Sequence, residues 1–433
     1  MSARDTALSV LIACRRQNAW SDGALKQQIV RDRLDRRDAA LATRLCYGVL
    51  QNQLLLDHWI GAFLKVKPSS VQPVVKDILR LAVYQLKYMD KIPASAAVNE
   101  AVNQTSRLAN SRAAGMVNAI LRNMLRSPER LSLPGDLSVR YSHPSSLVDL
   151  LRENVGEEKL EPLLCSHNLC PETFIQINTV RSTMEEAADS LVRDGLQVQA
   201  HPWLPNCLQI SGAGVDSTEA FRGGLVYVQD PAARLAVTAA GLKPGMHVLD
   251  CCAAPGGKSF SAAVDLCDRG AVVSCDIHPH KIDLIRKGAA RLGFSSIESY
   301  VQDASVVRTE WIDLYDAVIA DVPCSGLGVI RKKPDIRYKD LEQIKGLPVI
   351  QSRILEAQAH HVKPGGVLIY STCTILRREN EDVVNAFLSV HPEYSAESFT
   401  LPGSLSGSNG MMTLLPCDHG TDGFFIARLR RKL

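Results

Sequence analysis

The sequence predicts an α/β protein: a doubly wound, mostly parallel sheet over residues 231–433, preceded by a small α+β module and an all-helical front domain. Three observations carry this. From Gln229 onward strand-like and helix-like runs alternate, the rhythm of βαβ units with right-handed crossovers. Residues 4–130 repeat apolar side chains at three- and four-residue spacing, the helical period. Finally, an apolar strand ends at Asp250 and runs into Cys251-Cys252-Ala253-Ala254-Pro255-Gly256-Gly257-Lys258-Ser259 before a helix resumes. In Rossmann-like sheets such a turn lies at the ligand edge, where glycine lets backbone approach a bound molecule.

With 433 residues the chain exceeds what one core accommodates. We expect a helical domain over 1–130, the α+β module over 140–230 and the sheet domain over 231–433. A hydrophobic content of 46% and a charged content of 22% are those of an ordinary globular protein. The first residues lack a basic region followed by an apolar run, and no segment is long and apolar enough to span a bilayer. The 12 cysteines are scattered, which suits free thiols in a reducing cytoplasm better than a disulfide framework. The net charge of +3 hides an asymmetry: residues 1–135 carry about +10 and the remainder about −7. A basic front on an acidic rear points to a polyanionic partner held by the front.

In the front domain, Val75, Ile78, Leu79, Ala82, Val83 and Leu86 form one apolar stripe. Val98, Ala101, Val102, Thr105 and Leu108 form a second, and Val117, Ile120, Leu121, Met124 and Leu125 a third. These are core faces. Arg15, Arg16, Arg31, Arg33, Arg36, Arg37 and Arg44 are candidate phosphate contacts, which give affinity without sequence choice. The runs Ile78 to Leu86, Ile92-Pro93, Val98 to Val102 and Val117 to Arg122 resemble the all-helical NusB RNA-binding family. That resemblance implies an RNA-binding role for the front domain.

Ser127 to Pro144 reads as a linker. A short helix over 145–155, strands at 174–178, 208–210 and 226–228, and a helix over 184–194 make up the module. Cys165-x-His167-x-x-Cys170 offers three metal ligands without the fourth that a structural zinc site needs, so no metal is expected. The sheet domain reads as strands at 246–250, 271–276, 297–302, 315–321 and 366–372. Helices begin at 258, run over 279–292, 340–362 and 379–389, and a closing strand spans 423–429.

Three ligands compete for the turn at Cys252, Ala253, Ala254, Pro255, Gly256, Gly257 and Lys258. A dinucleotide lacks its G-x-G-x-x-G spacing. A nucleoside triphosphate finds Gly257-Lys258-Ser259, but Cys252 stands where the first P-loop glycine belongs and Pro255 has no N–H. S-adenosylmethionine fits better. Asp276 closes the second strand twenty residues after Gly256, the offset at which a carboxylate accepts from ribose hydroxyls, and Asp303 follows the third strand near the adenine position.

Two more strands end in cysteine loops: Ala320-Asp321-Val322-Pro323-Cys324-Ser325-Gly326 and Tyr370-Ser371-Thr372-Cys373-Thr374. Thiols beside a methyl donor suit methylation of pyrimidine carbon 5, which becomes nucleophilic only after a thiolate adds to carbon 6. Asp321 can hydrogen-bond the cytosine ring nitrogen and amino group and support the developing charge. Chemistry alone does not distinguish Cys373 from Cys324 as the nucleophile. Asp250-x-x-Ala-Ala-Pro-Gly-Gly-Lys258, Asp321-Val-Pro-Cys-Ser-Gly326 and Tyr370-Ser-Thr-Cys373 resemble the RNA cytosine-5 methyltransferases of the Sun/NOL1/NOP2 family. The resemblance implies a class I S-adenosylmethionine-dependent fold with Cys373 as nucleophile and Cys324 assisting product release. It places cofactor contacts at Cys252 to Lys258, Asp276, Asp303 and Asp321.

Together with a NusB-like front, it implies a monomeric enzyme acting on 16S ribosomal RNA, at cytosine 967. The target cytosine must be single-stranded or flipped out, since a thiolate cannot reach carbon 6 inside a helix. The run Arg331-Lys332-Lys333-Pro334-Asp335-Ile336-Arg337 reads either as a solvated loop or as a grip on flanking phosphates. Methylation of transfer RNA or another RNA is the rival substrate reading. A non-catalytic RNA-binding factor is the rival class, and the strand-end residues argue against it.

Overall fold

Helices at Ala3–Gln17, Ser21–Asp32, Arg36–Gln51, Gln53–Phe63, Pro73–Tyr88, Ala94–Leu108 and Ser111–Arg126 build the front of the chain in the computed structural model, which describes all residues except Asn18 and Ala213. Local chemistry starts several of them. Asp35 and Asn110 cap their helices by accepting from Asp38 N and Ala113 N, and Pro73 opens the fifth. Val75, Ile78, Leu79, Ala82 and Val83 are buried in the common core, as the helical period requires. Leu108 and Leu125 are exposed instead, because they lie in the last turns of their helices, beyond the packed faces. The seven candidate arginines are all exposed.

The chain divides into two units by its contacts: Met1–Cys170 with Ile330–Leu341, and Pro171–Val329 with Glu342–Leu433. The contact boundary at Cys170 falls inside the expected 140–230 module. The interval expected as a linker packs onto the helices of the first unit. Trp59 Nε1 donates to Ser132 O at 2.9 Å, and Leu55 N to Ser142 Oγ at 3.1 Å. Its polar groups accept from a free N–H in the first helical turn and from a buried indole rather than solvating a tether. Ser145–Val155 follows as expected; the helix Glu157–Ser166 after it, which buries Leu160, Leu163 and Leu164 but carries Pro162 inside, was not expected.

The basic run at 331–337 is largely buried in this same unit, which overturns its reading as a solvated loop or phosphate grip. Arg331 is 8% and Arg337 1% exposed. Arg337 Nη1 donates to Gln51 O at 2.9 Å, Asn168 Oδ1 at 3.0 Å and Tyr141 O at 3.2 Å, and Asp335 Oδ2 accepts from Ser21 N at 3.0 Å. Gln51 ends the helix Arg36–Gln51, where orphan carbonyls attract a cation. Burial pulls the guanidinium down to about 10. His167 stacks against His143 in the interior, whereas Cys165 and Cys170 are exposed, so the three do not converge. Among the described residues no group of three metal-capable side chains occurs.

The second unit opens with an antiparallel sheet of β1 (Thr173–Ile177), β2 (Gln197–Ala200), β3 (Cys207–Ser211) and β4 (Val226–Val228), in the order β2-β3-β1-β4. Its helix Met184–Arg193 starts from a capping box between Thr183 and Glu186. The larger sheet follows: β5 (His247–Asp250), β6 (Ala271–Asp276), β7 (Ile297–Val301), β8 (Tyr315–Asp321), β9 (Val362–Thr372) and β10 (Tyr394–Ala396). After a separate hairpin of β11 (Phe399–Leu401) and β12 (Leu405–Gly407), β13 (Met411–Leu414) and β14 (Phe424–Arg431) complete it.

The order is β7-β6-β5-β8-β9-β14-β10, with β13 beside β14; β5 to β9 pair in parallel and β14 runs antiparallel to β9. Alternation along β8 explains why the sheet is buried on both faces: Val318 and Ala320 join one core, Ala317 and Ile319 the other. The helix expected over 340–362 is broken into a 3₁₀ turn at Leu341–Ile344 and the helix Leu347–Ala359. β9 begins at Val362, earlier than expected, because Pro364-Gly365-Gly366 bulges out between Val362, paired with Tyr315, and Val367, paired with Ala317.

Candidate active site

The chain leaves β5 outward to β6 and β7, then returns on the other side of β5 as β8. Ligands bind in such sheets at this reversal, beyond the carboxyl ends of the strands. A cavity of about 540 Å³ opens there. Its walls include Cys252 and Ala254 from the turn after β5, Asp276 ending β6, Asp303 after β7, Asp321 and Cys324 at the end of β8, and Cys373 after β9. Five strand ends, widely spaced in sequence, thus supply one wall each. Ile277, His278, Lys281, Gln302, Ile350 and Ile354 add to the lining and were not singled out from the sequence. Cys251, buried in the core at the end of β5, also touches the cavity.

Ala253, Pro255, Gly256, Gly257 and Lys258 are not among the walls; they shape the turn behind it. Gly256 has φ +115°, and a Cβ there would stand 2.4 Å from the Phe260 ring. That ring also fills the space against Gly288, so the tightness of the turn is set by an aromatic wedge between two glycines. Lys258 reaches forward, and its Nζ donates to Asp321 Oδ2 at 2.6 Å. Behind it, Asp250 is fully buried; Ser259 Oγ donates to its Oδ2 at 2.7 Å, while Oδ1 has no partner. Burial, with the Asp321 charge adding, pushes the Asp250 carboxyl up to about 7.

Asp276 accepts from His278 N at 3.0 Å, and Asp303 from Ser305 N at 2.9 Å and Oγ at 2.8 Å. Asp276 Oδ2 also faces Lys281 Nζ at 3.6 Å, and both carboxylate residues line the cavity. The sulfurs of Cys324 and Cys373 are 3.0 Å apart. The hydrogen bond to Cys373, burial, and the Glu379 and Asp321 charges all push the Cys324 thiol well up, and either sulfur can donate across the contact. Around them, Ser371 Oγ donates to Asp321 Oδ1 at 2.9 Å, and Ser325 Oγ to Thr374 Oγ1 at 2.8 Å. Ser371 falls inside the Tyr370-Ser-Thr-Cys373 motif but was given no role from the sequence, and sequence pattern offered no signal for Glu379, whose contacts close between distant segments.

The donor set fits S-adenosylmethionine: two carboxylates at the ends of β6 and β7 suit hydroxyl and amino donors, a third stands beside the thiols, and a small-residue turn admits close approach. Sheet order, reversal point and cavity define an S-adenosylmethionine-dependent methyltransferase of the Rossmann-like class.

Residues 237–430 match the family described as 16S rRNA methyltransferase RsmB/F, residues 1–126 the NusB family, and residues 143–216 the ferredoxin-like domain of RsmF/B-like methyltransferases. The probable ribosomal RNA small subunit methyltransferase B of Bacillus subtilis is 36% identical over 443 residues, covering 100% of this chain and 99% of that protein. Ribosomal RNA small subunit methyltransferase B of Vibrio cholerae is 32% identical, covering 92% and 90%. The crystal structure of PH0851 matches with a TM-score of 0.79 at 27% identity, over 98% of both chains. The chain belongs to the RsmB/F family of 16S rRNA methyltransferases. The expected NusB-like front and the expected membership among ribosomal RNA methyltransferases therefore hold.

Proposed function

We propose that this enzyme methylates carbon 5 of a cytosine in 16S ribosomal RNA, with the base unpaired or flipped out of its stack and Cys373 adding covalently to carbon 6. The observation that carries the reading is the pair of sulfurs 3.0 Å apart on the wall of the cofactor cavity, beside an Asp321 already fixed by Lys258 and Ser371. The relatives named for the small ribosomal subunit support the substrate.

Bound S-adenosylmethionine supplies the electrophilic methyl group. Asp276 would hold its ribose, Asp303 would face its adenine, and Cys252 and Ala254 would pack against it. Asp321 accepts from the cytosine amino group and orients the ring over Cys373. The thiolate of Cys373 adds to carbon 6, opening the C5=C6 double bond and placing electron density on carbon 5. After transfer, loss of the carbon 5 proton restores the double bond and expels the Cys373 sulfur. Cys324, whose thiol keeps its proton, stands beside the departing sulfur and assists release.

Lys258 interacts electrostatically with Cys373 and sets a cation near the sulfur that this reading takes as the nucleophile. Exposed arginines of the NusB-like domain would bind RNA phosphates, and we place the enzyme in the cytoplasm as a monomer. No helix among the described residues is long and apolar enough to cross a membrane.

Bisulfite sequencing of ribosomal RNA from cells with and without the gene tests the reaction: one cytosine, 967 on this reading, is protected only when the gene is present. Unchanged protection across 16S ribosomal RNA in its absence would sink the proposal. Cys373→Ala in the purified enzyme should abolish methyl transfer while retaining cofactor binding.

A further inference from the structure

Cys324 sits on a loop that two fully buried side chains hold from beneath. Gln351, on the helix Leu347–Ala359, donates from Nε2 to Pro323 O at 3.0 Å and to Glu379 Oε2 at 2.9 Å. The same Glu379 oxygen accepts from Ser325 N at 2.9 Å. Pro323 and Ser325 are the residues on either side of Cys324, so one amide and one carboxylate close a ring of hydrogen bonds around its backbone. Both side chains are 0% exposed.

Glu379 is itself tied to the other cysteine strand. Tyr370 Oη, on β9, donates to Glu379 O at 2.6 Å, and Ser325 Oγ bonds Thr374, the residue after Cys373. Gln351 Oε1 and Glu379 Oε1 are buried without partners. Such orphan atoms are costly, and they persist where surrounding structure over-determines a geometry. A neutral loop could be fixed with less expense; a buried carboxylate here also lays negative charge beneath one of two adjacent thiols.

We propose that Gln351 and Glu379 are positioning residues that clamp the Cys324 loop, holding its S–H against the Cys373 sulfur for product release. The inference rests on the release role assigned above to Cys324. In that step the C5–H electron pair re-forms the C5=C6 bond and the C6–S pair leaves with the Cys373 sulfur. The Cys324 thiol gives its proton to that sulfur, the carbon 5 proton passes to solvent, and Cys324 is reprotonated from solvent. The clamp touches neither base nor cofactor; it acts only by fixing the donor within hydrogen-bond reach.

The test uses full-length enzyme, 16S ribosomal RNA transcript and radiolabelled S-adenosylmethionine, comparing single-turnover adduct formation with steady-state release. Gln351→Met and Glu379→Gln should each form adduct to full amplitude yet slow release by about tenfold or more, so that adduct accumulates on a denaturing gel. Gln351→Met leaves the carboxylate in place and serves where Glu379→Gln lowers the folded yield. Combined with Cys324→Ala, neither should slow release further, because the clamp works through that thiol. Extra slowing in the double variants, or clamp variants that release normally while Cys324→Ala accumulates adduct, would overturn the proposal. If Cys324→Ala itself releases normally, the release reading falls, and the clamp with it.

Discussion

Lys258 and Asp321 join the two sides of the sheet reversal: the lysine comes from the turn after β5, the aspartate from the end of β8, and their N and O atoms are 2.6 Å apart. Ser371 occupies the other carboxylate oxygen, and the ammonium lies 5.1 Å from the Phe424 ring centre. Burial alone would pull the lysine down, but Asp321, Asp250 and Cys373 outweigh it and hold it above its usual value. The side chain stays charged wherever the enzyme works.

Lys258→Met should therefore release Asp321 from its fixed orientation and remove the cation near Cys373. We expect a single-turnover rate lower by a factor of about 100, in line with loss of one preorganised electrostatic partner. Cofactor affinity, read by equilibrium dialysis, should change far less. Equal losses in both would show that the pair builds the cofactor pocket rather than the reacting centre.

Cys324→Ala should retain adduct formation and fail in release. A denaturing gel with labelled RNA is expected to show a shifted protein–RNA band that the parent enzyme shows only weakly. A variant with normal turnover and no shifted band would remove Cys324 from the mechanism.

Asp250 makes stability depend on pH. Its folded value of about 7 lies above the ordinary 3.8, so the folded form binds the proton more tightly. The stabilisation is fully present at acid pH below the ordinary value and is lost as pH rises through about 7. Asp250→Asn stays neutral and lacks this loss. Urea unfolding at pH 5 and pH 8 should show the variant gaining on the parent at the higher pH, by an amount on the order of a few kcal/mol. A constant difference across that range would contradict burial of an ionisable group here.

Gly256→Ala is expected to lose about 1–3 kcal/mol through overpacking against Phe260, with added strain from the positive φ. Gly115→Ala provides the opposite case. It lies in the helix Ser111–Arg126 with nothing within 4 Å of an added Cβ, and should gain up to about 1 kcal/mol. Thermal unfolding of the two variants should move in opposite directions.

Much of the sheet was legible because its elements are locally marked. The helix Pro279–Leu292 begins at a proline and ends before Gly293 in a left-handed turn, and the apolar run of β8 stops at Asp321, where the structure ends it. The strand-end residues could be grouped because parallel topology brings every carboxyl end to one edge. What pattern could not show were bonds between distant segments. Gln351 looked like any helical glutamine, Glu379 like a surface acid in a charged run, and Arg337 like part of a solvated basic cluster. Their burial depends on what folds over them, and no periodicity records that. The bulge at Pro364-Gly365-Gly366 likewise lay at the edge of the strand expected over 366–372, because the partner strand that reveals it is far away in sequence.

The segment Ile330–Leu341 carries a consequence for how the chain is made. The helical unit spans Met1–Cys170, yet its guanidinium plug at Arg337 is encoded well over a hundred residues later. During synthesis from the N-terminus, the carbonyls of Gln51, Tyr141 and Ser142 wait for a ligand that the ribosome has not yet delivered. A fragment cut at Cys170 would keep every α-helix of that unit and lack its keystone, so the helical unit is finished only once Arg337 has been made.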